Sequence, residues 1–346
     1  MTNRRITAKD VAAQAGVSRT TVSYVLNNVE AANISEETRQ RVLSVAEELG
    51  YVPDAAAQAL ASGRTQTIGL MLPSSQPHPR ASTSHYRIIE GLLEIVQQFG
   101  VRLLVDSVQK TQNSDTYLNL ARNKRIDGII LSDLRVDDEA LSKLVNDTFP
   151  IVLLGRLPGV KVSSVEFDNR GGARSAVDHL IAQGHTRIGL ITHAPSAFTG
   201  AEERIRGYRD SLAAHRIAFD ETLVRYGDYS AESGYADAMS LLGSGAAPTA
   251  LFVTSDEVAL GVLAALHKRG VSVPDDIAVV GFDDNPLAQY TIPALTTVRL
   301  PFEEMGRLAG KMLLDLIFHN SKPGRQVLLE TELIVRDSSV PSKPSS

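Results

Sequence analysis

The chain has 346 residues, 43% apolar and 22% charged; at roughly 150 residues per domain it holds two or three domains, and this composition excludes collagen-like and wholly disordered chains. Cysteine is absent, which removes disulfides, thiolate metal sites and cysteine nucleophiles together and suits a reducing compartment. The net charge of −5 excludes a broadly basic nucleic-acid coat but hides an asymmetry: residues 1–28 sum to +3 and residues 29–64 to −3, so any DNA contact belongs to the first block.

The N-terminus carries two arginines but no apolar run of signal-peptide length, which predicts a cytoplasmic protein. Thr7 followed by Asp10 is a capping pattern for a first helix, with Val11, Ala12 and Ala15 on one face and Gly16 at its end. Ser18 caps a second helix. There Val22, Val25 and Leu26 point one way, while Arg19, Thr20, Ser23, Tyr24 and Asn27 lie on the opposite face. A third helix runs from the cap Ser35 to Gly50 and buries Val42, Ala46 and Leu49. Residues 53–61 are alanine-rich, too short to form a stable helix without support. Ser62 to Thr65 reads as a linker.

From Ile68 the texture changes to short apolar runs, IGLML, RLLV, GIIL and IVLL, separated by helical patterns such as Ile88 to Phe99. A second series, VEF, IGLIT, ALFV and IAVVGF, is separated by helices near 172–183, 203–214, 231–242 and 256–268. This βαβα rhythm implies parallel sheets in two similar lobes. The tail QVLLETELIV, 326–335, reads as strand, so the chain is expected to cross back between the lobes before it ends. Ala238 to Ser255 is uncharged but interrupted by Gly243, Gly245 and Pro248, so it reads as helix, loop and strand and not as a membrane span.

The block ITAKDVAAQAGVSRTTVSYVLNN has helix-turn-helix spacing, in which the second helix lays a polar face in the major groove. An isolated helical hairpin of this kind is equally an ordinary packing unit. Its terminal position, its positive charge and the third helix and hinge behind it favour DNA binding. With SEETRQRVLSVAEELGYVP, DAAAQALASGRT, DNRGGARSAVDHLIAQGH, ERIRGY, PDDIAVVGFDD and PALTTVR, the chain resembles the LacI/GalR family of transcription regulators over nearly its whole length. The resemblance implies an all-α helix-turn-helix headpiece (1–50), a hinge helix and linker (51–65), and an α/β bilobed periplasmic-binding-protein-like core with two parallel sheets (66–340). Lobe 1 is expected at about 66–164 and 297–323, and lobe 2 at about 165–296 and 324–340.

By this resemblance Arg19, Thr20 and Tyr24 read bases, a role their chemistry suits: arginine forks onto guanine and the threonine methyl touches thymine. Ser18 and Thr21 would bind phosphates, and Thr7, Ser23 and Asn27 complete the DNA-facing set. Many relatives carry arginine where Tyr24 stands. Leu60 matches the hinge leucine that wedges into the minor groove and bends DNA. For the effector, Arg204 matches the arginine that forks onto ligand oxygens, with a surface arginine beside a Glu202–Arg206 pair as its alternative. Asp283 in GFDDN matches a hydroxyl-accepting carboxylate, with a turn aspartate as its alternative, and Tyr229 an aromatic cover for a sugar ring, with a core tyrosine as its alternative. Ser255 stands where asparagine is frequent and His85 where an aromatic ring is frequent, which points to an altered ligand.

No GxSxG, HExxH, P-loop or GxGxxG is present, and His179 and His185, six apart, do not share a helical face. Asp168 and Asn169 before Gly171 and Gly172 read as a helix cap sooner than a phosphate site. The expectation is therefore a repressor of sugar uptake or catabolism genes, not an enzyme, needing no cofactor or metal. Its partners would be operator DNA, a second copy in a homodimer and a small-molecule effector, with no membrane. A sugar suits the pocket chemistry best. A purine or nucleoside is the alternative effector, and a sugar carrier without a DNA role is a third reading, which predicts an export signal and no helix-turn-helix.

Overall fold

The computed structural model describes residues 6–27, 32–52, 58–59, 62–74, 83–109, 116–132, 134, 139–157, 159, 161–245, 247–319 and 321–340. Three helices open the chain: α1 (Ala8–Ala15), α2 (Arg19–Leu26) and α3 (Glu36–Glu48). The Thr7 backbone N–H and hydroxyl both donate to Asp10 Oδ2, at 2.9 and 2.7 Å. Gly16 ends α1 at φ +67°, a conformation a side chain would strain. Ser18 Oγ accepts from the Thr21 N–H at 3.0 Å and starts α2. Val11, Ala12 and Ala15 pack against Val22, Val25, Val42, Val45 and Ala46. Arg41 of α3 donates to the Ala15 carbonyl at 3.1 Å, satisfying one of the free acceptors at the end of α1. Gln58, Ala59 and Ser62 have helical backbone; the hinge leucine Leu60 lies outside the described residues.

The first lobe follows as β1 (Thr67–Ser74), α4 (Thr83–Gln98), β2 (Arg102–Gln109), α5 (Thr116–Arg122), β3 (Gly128–Leu131), α6 (Glu139–Asn146), β4 (Ile151–Leu154) and β5 (Ser163–Phe167). The second is α7 (Asn169–Ala182), β6 (Ile188–Thr192), α8 (Thr199–Ala214), β7 (Val224–Tyr226), α9 (Ala231–Gly243), β8 (Ala250–Val253), α10 (Asp256–Lys268), β9 (Ala278–Asp283) and β10 (Thr296–Arg299). The chain returns to the first lobe for α11 (Phe302–Phe318) and β11 (Gln326–Leu329), then ends in the second with β12 (Glu332–Ile334). Each lobe is one sheet, in the orders β11-β5-β4-β3-β1-β2 and β12-β10-β9-β8-β6-β7. All pairings are parallel except that of β12 with β10. The inner strands β3, β4 and β8 are buried along their whole length, as strands covered by helices on both faces must be.

The tail 326–335 forms two strands, β11 paired with β5 at Leu328↔Glu166 and β12 paired with β10 at Val298↔Leu333, with the polar Glu330 and Thr331 between them. The expected lobe boundaries are corrected. Strand 163–167 belongs to the first sheet, 296–299 to the second and 326–329 to the first, which places the crossings at 168, 300–301 and 330–331 instead of 165, 297 and 324. Sequential strands of like texture carry no local mark of which sheet they join.

Helices α4 and α11 cross at close range. Gly91 faces the Glu303 carbonyl and Gly306 faces the Ile88 carbonyl, where a Cβ on either glycine would meet backbone.

Candidate functional site

On α2, Arg19 and Thr20 are exposed and Tyr24 is 42% exposed, on the face away from buried Val22 and Val25. Ser23 and Asn27 are half-buried, and Asn27 Nδ2 donates to Ser23 Oγ at 3.2 Å. The Ser18 and Thr21 hydroxyls lie 2.9 Å apart, so both already serve the helix start. Thr7 does the same for α1 through Asp10. The polar face of α2 thus turns away from an apolar face that packs on α1 and α3.

The second site is a cavity of about 130 Å³ between the lobes, at the carboxyl ends of both sheets, where open α/β sheets place ligands. His85 of α4 lines it from the first lobe, and Arg204, Tyr229, Ser255 and Asp283 line it from the second. Four segments far apart in the second lobe therefore converge on one cleft. Arg204 is 7% exposed, which rules out the surface reading; the Glu202–Arg206 pair does form on the outer face, at 3.0 Å. Its Nε donates to Asn169 Oδ1 at 2.8 Å, its Nη1 bonds the Thr254 carbonyl and lies 3.6 Å from Asp283 Oδ1, and its guanidinium covers the Phe282 ring at 4.0 Å.

Ser255 Oγ donates to Asp283 Oδ2 at 2.9 Å, so the short side chain serves the carboxylate. Burial pushes the Asp283 carboxyl up to about 6, against the pull of Arg204 and the Ser255 bond. Behind it Asp256 is driven well above the usual carboxylate range, by burial first and then by the charge of Asp283. Asp256 accepts from Thr297 Oγ1 and the Asn285 N–H, both at 2.7 Å, and so fixes the loop after β9. Tyr229 stands edge-on to His193 and Phe198, at centroid distances of 5.2 and 5.7 Å, and its N–H donates to the His193 carbonyl at 2.6 Å. It takes φ +70°, a conformation held by that bond.

Three residues of the site have no signal in the local sequence. His193, in the loop after β6, is buried in the cavity wall with its Nδ1 2.8 Å from Thr254 Oγ1. Glu166 lines the cavity from β5. Arg87 of α4 lies just behind the wall. It pairs with Glu303 at 2.7 and 3.1 Å and donates to the carbonyls of Asp283 at 3.3 Å, Asp284 at 3.4 Å and Leu300 at 3.4 Å. Asp283 and Asp284 have φ of +120° and +50°, which costs of order 1–3 kcal/mol each for a non-glycine residue. A first-lobe guanidinium thus braces the strained turn that presents the second-lobe carboxylate.

Asp168 accepts from the Gly171 N–H at 2.8 Å and caps α7, the structural role expected of it. His179 lies 2.8 Å from Ser339 Oγ and His185 3.1 Å from Thr249 Oγ1; among the described residues no cluster of three or more metal-ligating side chains exists.

Residues 7–54 match the family model described as bacterial regulatory proteins, lacI family, and residues 177–339 that of a periplasmic binding protein-like domain. The HTH-type transcriptional regulator CelR of Thermobifida fusca is 36% identical over 97% of this chain and 98% of its own length. Among solved structures, a CelR–cellobiose complex superposes with a TM-score of 0.74 at 35% identity, covering 96% of this chain and 100% of that one. A lac repressor dimer bound to operator and the anti-inducer ONPF gives 0.84 at 30% identity, covering 98% and 100%.

Proposed function

Because the chain belongs to the LacI family and is a helix-turn-helix transcriptional regulator, not an enzyme, we propose that it is a repressor of sugar uptake or catabolism genes whose grip on its operator changes with a sugar held between the lobes. It acts in the cytoplasm as a dimer, and two copies of α2 on a twofold axis meet opposite halves of a pseudo-palindrome. No described helix is long and apolar enough to cross a membrane.

The observation that carries the reading is the convergence of His85, from one lobe, with Arg204, Tyr229, Ser255 and Asp283, from the other, on a single cavity. A sugar supplies vicinal hydroxyls that donate to Asp283 and accept from Arg204, and a C–H face for Tyr229. Ligand contact with both lobes favours one lobe arrangement. A hundredfold change in operator affinity needs about 2.7 kcal/mol of such preference.

The test is an operator titration with and without the sugars and nucleosides that raise the melting temperature. Arg19→Ala should weaken cognate operator by roughly 1–3 kcal/mol more than scrambled duplex. Arg204→Ala should keep operator binding and lose the response to ligand. Equal loss on both duplexes makes Arg19 a phosphate contact. A ligand response untouched by Arg204→Ala removes the cleft assignment, and a nucleoside as the responsive ligand replaces the sugar reading.

A further inference from the structure

The cleft carries more negative than positive charge, and the two lobes share it. Among the described residues of its wall, Arg204 is the one permanent cation, and its guanidinium is already committed to Asn169, the Thr254 carbonyl and Asp283. Asp283 offsets that charge. Two further carboxylates remain, Glu166 at the end of β5 in the first lobe and Glu257 in the first turn of α10 in the second. Glu166 is half-buried, and among the described residues nothing donates a hydrogen bond to its carboxylate. Burial raises its pKa, with the exposed Arg156 pulling the other way and Glu203 and Asp168 adding to the rise. A half-buried carboxylate with no protein donor among the described residues can take its hydrogen bonds from the hydroxyls of a ligand. A phosphate or carboxylate placed in the same cavity meets, among the described residues, the carboxylates of Glu166 on one side and Glu257 on the other, while Asp283 already balances Arg204.

We propose that the cleft selects an uncharged, hydroxyl-rich ligand, a neutral mono- or oligosaccharide, and that Glu166 is the residue that accepts its hydroxyls from the first lobe and turns away phosphorylated or carboxylated sugars. The inference rests on the sugar reading above and narrows it. It also gives the first lobe a charged contact beside His85. Asp283 and Arg204 hold the ligand from one side only, and Glu166 is the charged group that meets it from the other, so the same contact that sets selectivity draws the lobes together.

Titration calorimetry on the full chain, with neutral mono- and disaccharides beside their 6-phosphate and uronate counterparts, tests this. The wild type should bind its neutral ligand roughly tenfold or more tighter than the charged counterpart. Glu166→Gln keeps the shape and removes the charge, and it should narrow that gap at least several-fold while the unliganded melting temperature stays within a few degrees. Glu257→Gln measures the share of the second lobe. A charged counterpart that binds the wild type as well as the neutral sugar, or a gap unchanged in Glu166→Gln, overturns the proposal and leaves the sugar reading standing. No binding by any member of the panel to either protein overturns both.

Discussion

Asp283 is held in a conformation few aspartates adopt, beside a second buried carboxylate, Asp256, and burial raises the pKa of both. An acid whose folded pKa is raised, here from 3.8 to about 6, contributes stability that is fully present below the unfolded value and is lost as pH rises through the folded one. Wild type should therefore lose stability relative to Asp283→Asn between about pH 4 and pH 6, because the buried carboxyl must ionise and the amide need not. Denaturant melts across that window check the sign; a pH-independent difference would contradict it. Ligand affinity should rise over the same window, since hydroxyl donors need the carboxylate. Resemblance to the family singles out Asp283 and Arg204 through the motifs GFDDN and ERIRGY around them. Arg87 has no such context: its partner Glu303 lies 216 positions away, and on its own helix it reads as one more solvated charge.

At the scale of elements, the contact of α4 with α11 decides how firmly Arg87 and Glu303 can brace the cleft. Both glycines at the crossing admit the backbone of the facing helix, so Gly306→Ala should destabilise by about 1–3 kcal/mol through overpacking. Helix propensity alone favours alanine by about 1 kcal/mol and predicts the opposite sign. Gly200→Ala in the first turn of α8, where nothing lies within 4 Å of the added carbon, is the control and should be neutral or better. Urea midpoints of the two variants separate the explanations. The headpiece is fully legible at this scale, because its caps Thr7, Ser18 and Ser35 and its apolar periodicity are local. Helix α11, which packs on α4 and on the first sheet, is not among the elements the sequence predicts.

Across the whole molecule, the chain passes between the two sheets three times, and a ligand that touched both lobes would favour one arrangement of them. Two headpieces on a twofold axis are needed to read a palindrome, and sedimentation at micromolar protein should give a dimer; a monomer or a tetramer would contradict this. The sequence by itself determined the helix-turn-helix and the βαβα rhythm of two lobes, because capping and periodicity are properties of neighbouring residues; the five pocket residues are named only through resemblance to the family, and the structure lines one cavity with them. Only the tertiary structure decided where the chain changes lobes, that Arg87 spans them, and that Glu166 and His193 face the same cavity as Asp283. Those facts depend on which sheet accepts each strand and on contacts between residues tens to hundreds of positions apart, and no local pattern encodes either.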